Sequence, residues 1–128
     1  MRLTGLLFAL CSIPALVVFA AENEPLTPAE AAKKINEKVV VKFEVKSSGG
    51  RDNRYLNSEE DYKDAKNFTI LISKDDMEKF KKRGIEKPEE HFKGKVIEVT
   101  GTVLLVKEKP QIRVEDPDKI KIIPQEKK

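Results

Sequence analysis

Residues 38–46, KVVVKFEVK, alternate between apolar and charged side chains. Val39, Val41, Phe43 and Val45 point one way, and Lys42, Glu44 and Lys46 the other. A period of two over nine residues specifies a strand with one buried face. It commits the chain to a sheet packed on a single core. Residues 67–73 (NFTILIS) repeat the signal with Phe68, Ile70 and Ile72 inward. Residues 94–106 give the longest strand pattern, with Gly101 in its middle. A glycine inside a strand predicts a bulge or sharp bend there. Residues 111–115 and 120–123 add short returning strands after turns at Lys107-Glu108-Lys109-Pro110 and Asp116-Pro117-Asp118. A further short strand is expected at 54–57. Residues 47–53, rich in Ser and Gly, read as a turn-forming loop. Residues 58–66 read as a charged loop with Tyr62 as its apolar anchor.

Helix signals are few. Thr27-Pro28-Ala29-Glu30 combines a capping side chain, proline at the first helical position and a glutamate that closes a capping box. The short helix it starts should end near Asn36. Ser73-Lys74-Asp75-Asp76 resembles a second cap. Met77 and Phe80 then give a helix its apolar stripe, and Gly84 stops it. Residues 87–90 form a possible extra turn.

The chain has 128 residues, with 25 Lys and Arg against 22 Asp and Glu. Only Arg2 of these charges precedes residue 21. Met1-Arg2, the apolar run that follows and the small residues before Glu22 read as a secretory signal peptide over 1–20. Cleavage is expected after Ala20 or Ala21, and an uncleaved membrane anchor is the alternative. Residues 21–26 read as a linker, 27–123 as the folded domain and 124–128 as a polar tail. The expected location is secreted or periplasmic. Cys11, the only cysteine, leaves with the peptide, which excludes disulfides, thiol catalysis and cysteine-based zinc sites from the mature chain.

Three strands, a helix, then two strands with a bend in the fourth is the order of a mainly β, five-stranded OB-fold Greek-key barrel, preceded here by a short N-terminal helix. The segments YLNSEEDYKDAKNFTILI (55–72) and HFKGKVIEVTGTVLLVKEKPQIRVEDPDKIKII (91–123) resemble small secreted bacterial OB domains. They are similar to the OB modules of the nucleic-acid-binding, tRNA-anticodon/helicase-like group. The resemblance implies a binding module that uses one barrel face and its loops, and it identifies no catalytic residue.

The residues themselves assemble no enzyme. His91 stands alone and reads as a surface residue beside Phe92, since one imidazole is not a site. The acidic clusters at 59–61, 75–76, 89–90 and 115–118 interleave with lysines and read as solvated loop and cap charge. No metal set and no cofactor are expected. The basic-aromatic residues are the functional candidates. Arg51 and Arg54 bracket the loop after the first strand, and Tyr55 follows. Lys107, Lys109 and Arg113 lie on and beside the loop before the last barrel strand. OB modules bind oligonucleotides with these two loops and the face between them, through aromatic stacking and phosphate pairing. The expected partner is single-stranded DNA or RNA, with an envelope protein as the alternative, and the chain is expected to act as a monomer.

Overall fold

A computed structural model describes residues 24–125; the expected signal peptide and most of the polar tail lie outside the described residues. The strands are β1 (Lys38–Glu44), β2 (Ser47–Gly50), β3 (Arg54–Asn57), β4 (Thr69–Ile72), β5 (Val96–Val106), β6 (Lys109–Arg113) and β7 (Ile120–Ile122). Three short helices accompany them: α1 (Pro28–Ala31), α2 (Met77–Lys82) and α3 (Pro88–His91). The molecule is mainly β.

The sheet has seven strands, where the sequence predicts five, and its hydrogen-bonded order is β1-β5-β6-β4-β3-β2, with β7 also paired to β5. It is open as a hydrogen-bonded path. Its two ends, β1 and β2, are consecutive in the chain. The single strand expected over 38–46 breaks because its residues change partner. Val45 donates to the Lys95 carbonyl and accepts from Gly94, whereas Lys46 donates to the Asn57 carbonyl. One residue step thus carries the chain from the β5 side to the β3 side. β2 continues in what reads from sequence as a loop, and it pairs with β3 from Ser47↔Asn57 to Gly50↔Arg54.

β5 makes the matching transfer. It pairs with β1 through Lys38↔Thr102 and with β6 from Val103↔Ile112 onward. Gly101 precedes that transfer, and the register with β1 runs through it without a bulge. The glycine is required by packing: a Cβ there would lie 2.6 Å from Ile112 Cγ2, and Ile112 is fully buried. The expectation of a bulge is therefore corrected to one of close side-chain approach.

Alternation does place the core. Val41, Val45, Ile70, Ile72, Val99 and Val103 are buried from one face of their strands, and Phe43 meets Phe68 at 6.3 Å between ring centroids. Phe80 from α2 and Phe92 after α3 close the ends. Thr27 caps α1 with the full box: Glu30 N–H donates to Thr27 Oγ1, and Thr27 N–H to Glu30 Oε1. Before it, Leu26 pairs with β1, donating to Val40 and accepting from Lys42, so the expected linker is already part of the sheet at that residue.

Candidate nucleic-acid interface

Residues opposite one another in a sheet project to the same face. On the face away from the core this creates three rows. Gly49, Tyr55, Leu71 and Arg113 form the first; Ser47, Asn57, Thr69, Gln111 and Leu104 the second; Lys109 and Val106 the third. Gly49 stands opposite Tyr55 with open space around it. β5 and β6 join through Lys107 and Glu108, which both have positive φ (51° and 68°). That backbone is what a two-residue hairpin needs, and Asn-Gly is the sequence that adopts it at least cost. Here a lysine and a glutamate hold it instead.

The segment between β3 and β4 is tied down by a polar network. Asn67, almost fully buried, receives the Glu59 N–H on Oδ1 and directs Nδ2 at Asn57 Oδ1, Thr69 Oγ1 and the Tyr62 carbonyl. Asn57 Nδ2 donates to Ser47 Oγ, which donates to the Glu59 carbonyl. Thr69 Oγ1 donates to Asn57 Oδ1, and Ser58 Oγ accepts the Phe68 N–H. Such a network fixes a loop whose one fully buried apolar side chain, Phe68, lies at its end. It holds Tyr62 at a set place on the outer face, where Lys109 Nζ reaches the Tyr62 carbonyl at 3.4 Å.

Together these elements enclose a cleft of about 850 Å³. β2, Tyr55, Asn57 and Thr69 form its floor with Gln111, while Glu60, Tyr62, Lys63, Val106, Lys107 and Lys109 stand around it. Tyr55 is 37% and Tyr62 62% exposed. Lys63 Nζ lies 5.8 Å from the centre of the Tyr62 ring, within reach of a cation–π contact. The cleft therefore offers two ring faces, a polar floor and three ammonium groups against one carboxylate.

Of the residues singled out in the sequence, Tyr55, Lys107 and Lys109 come together here. Arg54 and Arg113 do not line the cleft. Arg54 Nη1 meets Glu89 Oε1 of α3 at 2.8 Å and its Nε donates to the Arg51 carbonyl. Arg51 itself lies exposed in the turn before β3. Arg113 gives Nε and Nη2 to Asp76 Oδ2 at 3.1 and 3.0 Å. That hydrogen bond, then the Asp76 charge, pushes the Arg113 guanidinium above its ordinary value. The partners Glu89 and Asp76 read from sequence as solvated charges; Asp76 is in fact buried. A smaller hollow of about 290 Å³ beside Arg54 mixes Asp52 and Glu78 with Lys74 and Lys81 and favours neither sign. His91 is exposed and packs edge-on to Phe92 at 4.7 Å. Lys63, Glu60 and Gln111 are cleft residues that the sequence reading passes over. The Tyr62-Lys63 pair was the available signal for the first of them.

No family model matches the chain, and no curated protein does. Solved structures do. The chain is similar to asparaginyl-tRNA synthetase from Pyrococcus horikoshii, at a TM-score of 0.54 and 15% identity over 79% of this chain and 23% of that one. It is similar to aspartyl-tRNA synthetase from Entamoeba histolytica, at 0.52 and 12% over 82% and 22%. It is also similar to the OBody AM3L09 bound to hen egg-white lysozyme, at 0.57 and 14% over 80% and 97%. The chain spans less than a quarter of the length of the synthetases. At these identities the likeness is one of fold, and the fold is that of OB domains.

Proposed function

We propose that this chain is an exported, non-catalytic OB-type binding module that takes single-stranded nucleic acid in the cleft between loop 58–68 and the β5–β6 hairpin. In this reading β1 and β2 count as one bent strand, which gives the five-strand Greek-key barrel. The observation that carries the proposal is the meeting of Tyr55 and Tyr62 with Lys63, Lys107 and Lys109 around one cleft. Exposed rings stack on bases at ~1–3 kcal/mol each, with little regard to sequence. Ammonium groups neutralise phosphates and release counterions. The tRNA synthetase neighbours support a nucleic-acid ligand. Export rests on residues 1–20, and intact mass of an envelope fraction tests it: a chain starting at Ala21 or Glu22 is expected, and full-length chain alone in the membrane overturns it.

Fluorescence anisotropy with a labelled single-stranded oligomer at several salt concentrations tests the cleft. Three lysines at ~0.7 counterions per phosphate give a log–log salt slope of about −2. Tyr55→Ala should weaken binding at every salt concentration, because stacking is not ionic. Absence of binding at low salt sinks the proposal. A protein ligand is the second reading, and the OBody–lysozyme complex supports it, since there an OB module of nearly the same extent is bound to a protein.

A further inference from the structure

A strand whose ladder ends before the strand does leaves backbone groups that another strand can meet. β5 is such a strand. On its β1 side the last bonded residue is Val103, whose N–H donates to the Glu37 carbonyl and whose carbonyl accepts the Asn36 N–H. Leu105, two residues on, turns its N–H and C=O to that same side, because bonding direction alternates along an antiparallel strand. Pro110 stands opposite it on β6 and has no N–H to offer. No strand or loop among the described residues meets Leu105 from the β1 side.

The side chains at this edge are apolar and wet. Leu104, Leu105 and Val106 are 44%, 56% and 38% exposed, and a soluble surface does not carry three such residues in a row without a use for them. The other edges are guarded. Leu26 covers β1 by bonding to Val40 and Lys42. β7 is three residues long with Lys121 at its centre. β2 is made of Ser and Gly and has no apolar side chain to bury. A covering segment, a central lysine and a lack of apolar surface each discourage further pairing, and residues 104–106 have none of them.

We infer that residues 104–106 join two copies of this chain, antiparallel, about a two-fold axis at Leu105. A two-fold contact needs a patch that complements itself, and this one does. Leu105 of each copy gives the other the backbone partners it lacks, and Leu104 of each meets Val106 of the other. Counting outward from Leu105, Lys107 of one copy falls level with Val103 of the other. Glu37 already holds that place, and the incoming strand leaves it there, because Lys107 begins the turn with φ 51°. Pairing thus stops where an ammonium reaches a carboxylate, once at each end. Glu37 and Lys107 are both exposed, and neither makes an ion pair among the described residues. The match of apolar to apolar and of base to acid along one short strip selects a second copy over a foreign strand. So small a strip lies well below the ~1,600 Å² of a standard interface, so the pair is transient and the single chain is the dilute form. The contact does not depend on what the cleft holds.

Sedimentation equilibrium of the purified chain tests this. Between about 10 μM and about 1 mM the mean mass should climb from one copy toward two and no further, as a small contact that closes on itself requires. Lys107→Glu and Glu37→Lys should each weaken self-association by about fivefold or more, and the two combined should restore it to within about twofold, since the exposed pair is then remade with its signs exchanged. Leu105→Lys, at an exposed position, should leave a single copy at every concentration. A mass that stays at one copy overturns the inference. So does self-association that survives Leu105→Lys, that the charge exchange fails to rescue, or that runs past two copies. Oligonucleotide binding by a chain that stays single overturns this inference and leaves the cleft reading standing.

Discussion

The two ends of the outer face use their basic groups differently. Near α2 and α3 three arginines each face a carboxylate from a helix or turn: Arg54 faces Glu89, Arg113 faces Asp76 and Arg83 faces Asp118. Around the cleft the cations are lysines. Lys63, Lys107 and Lys109 make no ion pair among the described residues; Lys63 Nζ lies by the Tyr62 ring and Lys109 Nζ reaches the Tyr62 carbonyl. A guanidinium is planar and multiply donating, so it suits a fixed partner; an ammonium on a flexible stem suits a ligand that arrives later. The contrast separates cations that hold helices onto the sheet from cations that remain available.

Four variants break or sharpen this contrast. The largest effect is expected at Asn67, which is buried in the network that gives the cleft end its rigidity without ion pairs. Asn67→Ala strands the Glu59 N–H and empties the centre of the buried network, and should lower stability by about 3 kcal/mol in denaturant unfolding. A midpoint shift below a third of that would show that loop 58–68 is held otherwise. Next, Lys63→Gln, Lys107→Gln and Lys109→Gln combined should weaken single-strand binding by at least about tenfold at low salt and bring the salt slope close to zero. An unchanged slope would remove the distinction between the two ends. Third, Arg54→Gln should cost about 1–2 kcal/mol of stability, the order for a partly buried charged hydrogen bond, yet change oligomer affinity by less than twofold. A flattened salt slope in that variant would return Arg54 to the ligand. The smallest effect concerns the hairpin. Lys107→Asn with Glu108→Gly relieves two left-handed residues and should raise stability by about 1 kcal/mol, while weakening binding through the loss of Lys107. A lower melting temperature would mean that these side chains stabilise the turn they strain.

Much of the fold is legible in the sequence because most strands have one wet face. The alternation at 38–46 marks buried and exposed positions correctly, and at 67–73 it marks the buried Phe68, Ile70 and Ile72 but not Asn67, which the polar network buries. β2 is not legible in the same way. Ser47, Ser48, Gly49 and Gly50 carry no hydrophobic pattern, and they form a strand only because β3 lies alongside and α3 covers them, with Ser48 Oγ donating to the Glu89 carbonyl. Gly101 shows a different limit: its sequence context suggests bending, while its reason lies in Ile112, eleven residues further on in the chain. For the site, Tyr55, Lys107 and Lys109 are readable because hairpin tips and alternation place them outward. Arg54 and Arg113 have the same composition signal, but whether a cation is free depends on which carboxylate the fold brings to it. That partner is 35 residues away for Arg54 and 37 for Arg113, and no local pattern encodes it.

The transfer of the chain at Val45 and Lys46 has a consequence for the order in which the molecule can assemble. β1 bonds to β5 along its whole length, so the first strand to leave the ribosome has no ladder to join until Val96 and its successors exist. Loop closure over such a distance precedes any reward, which places folding among the slow, non-local topologies. While it waits, β1 carries Lys38, Lys42 and Glu44 on its wet face, and charge of this kind discourages pairing with other chains. A nascent chain ending before Val96 should remain soluble and unfolded, and the domain should form in one step once its second half has been synthesised.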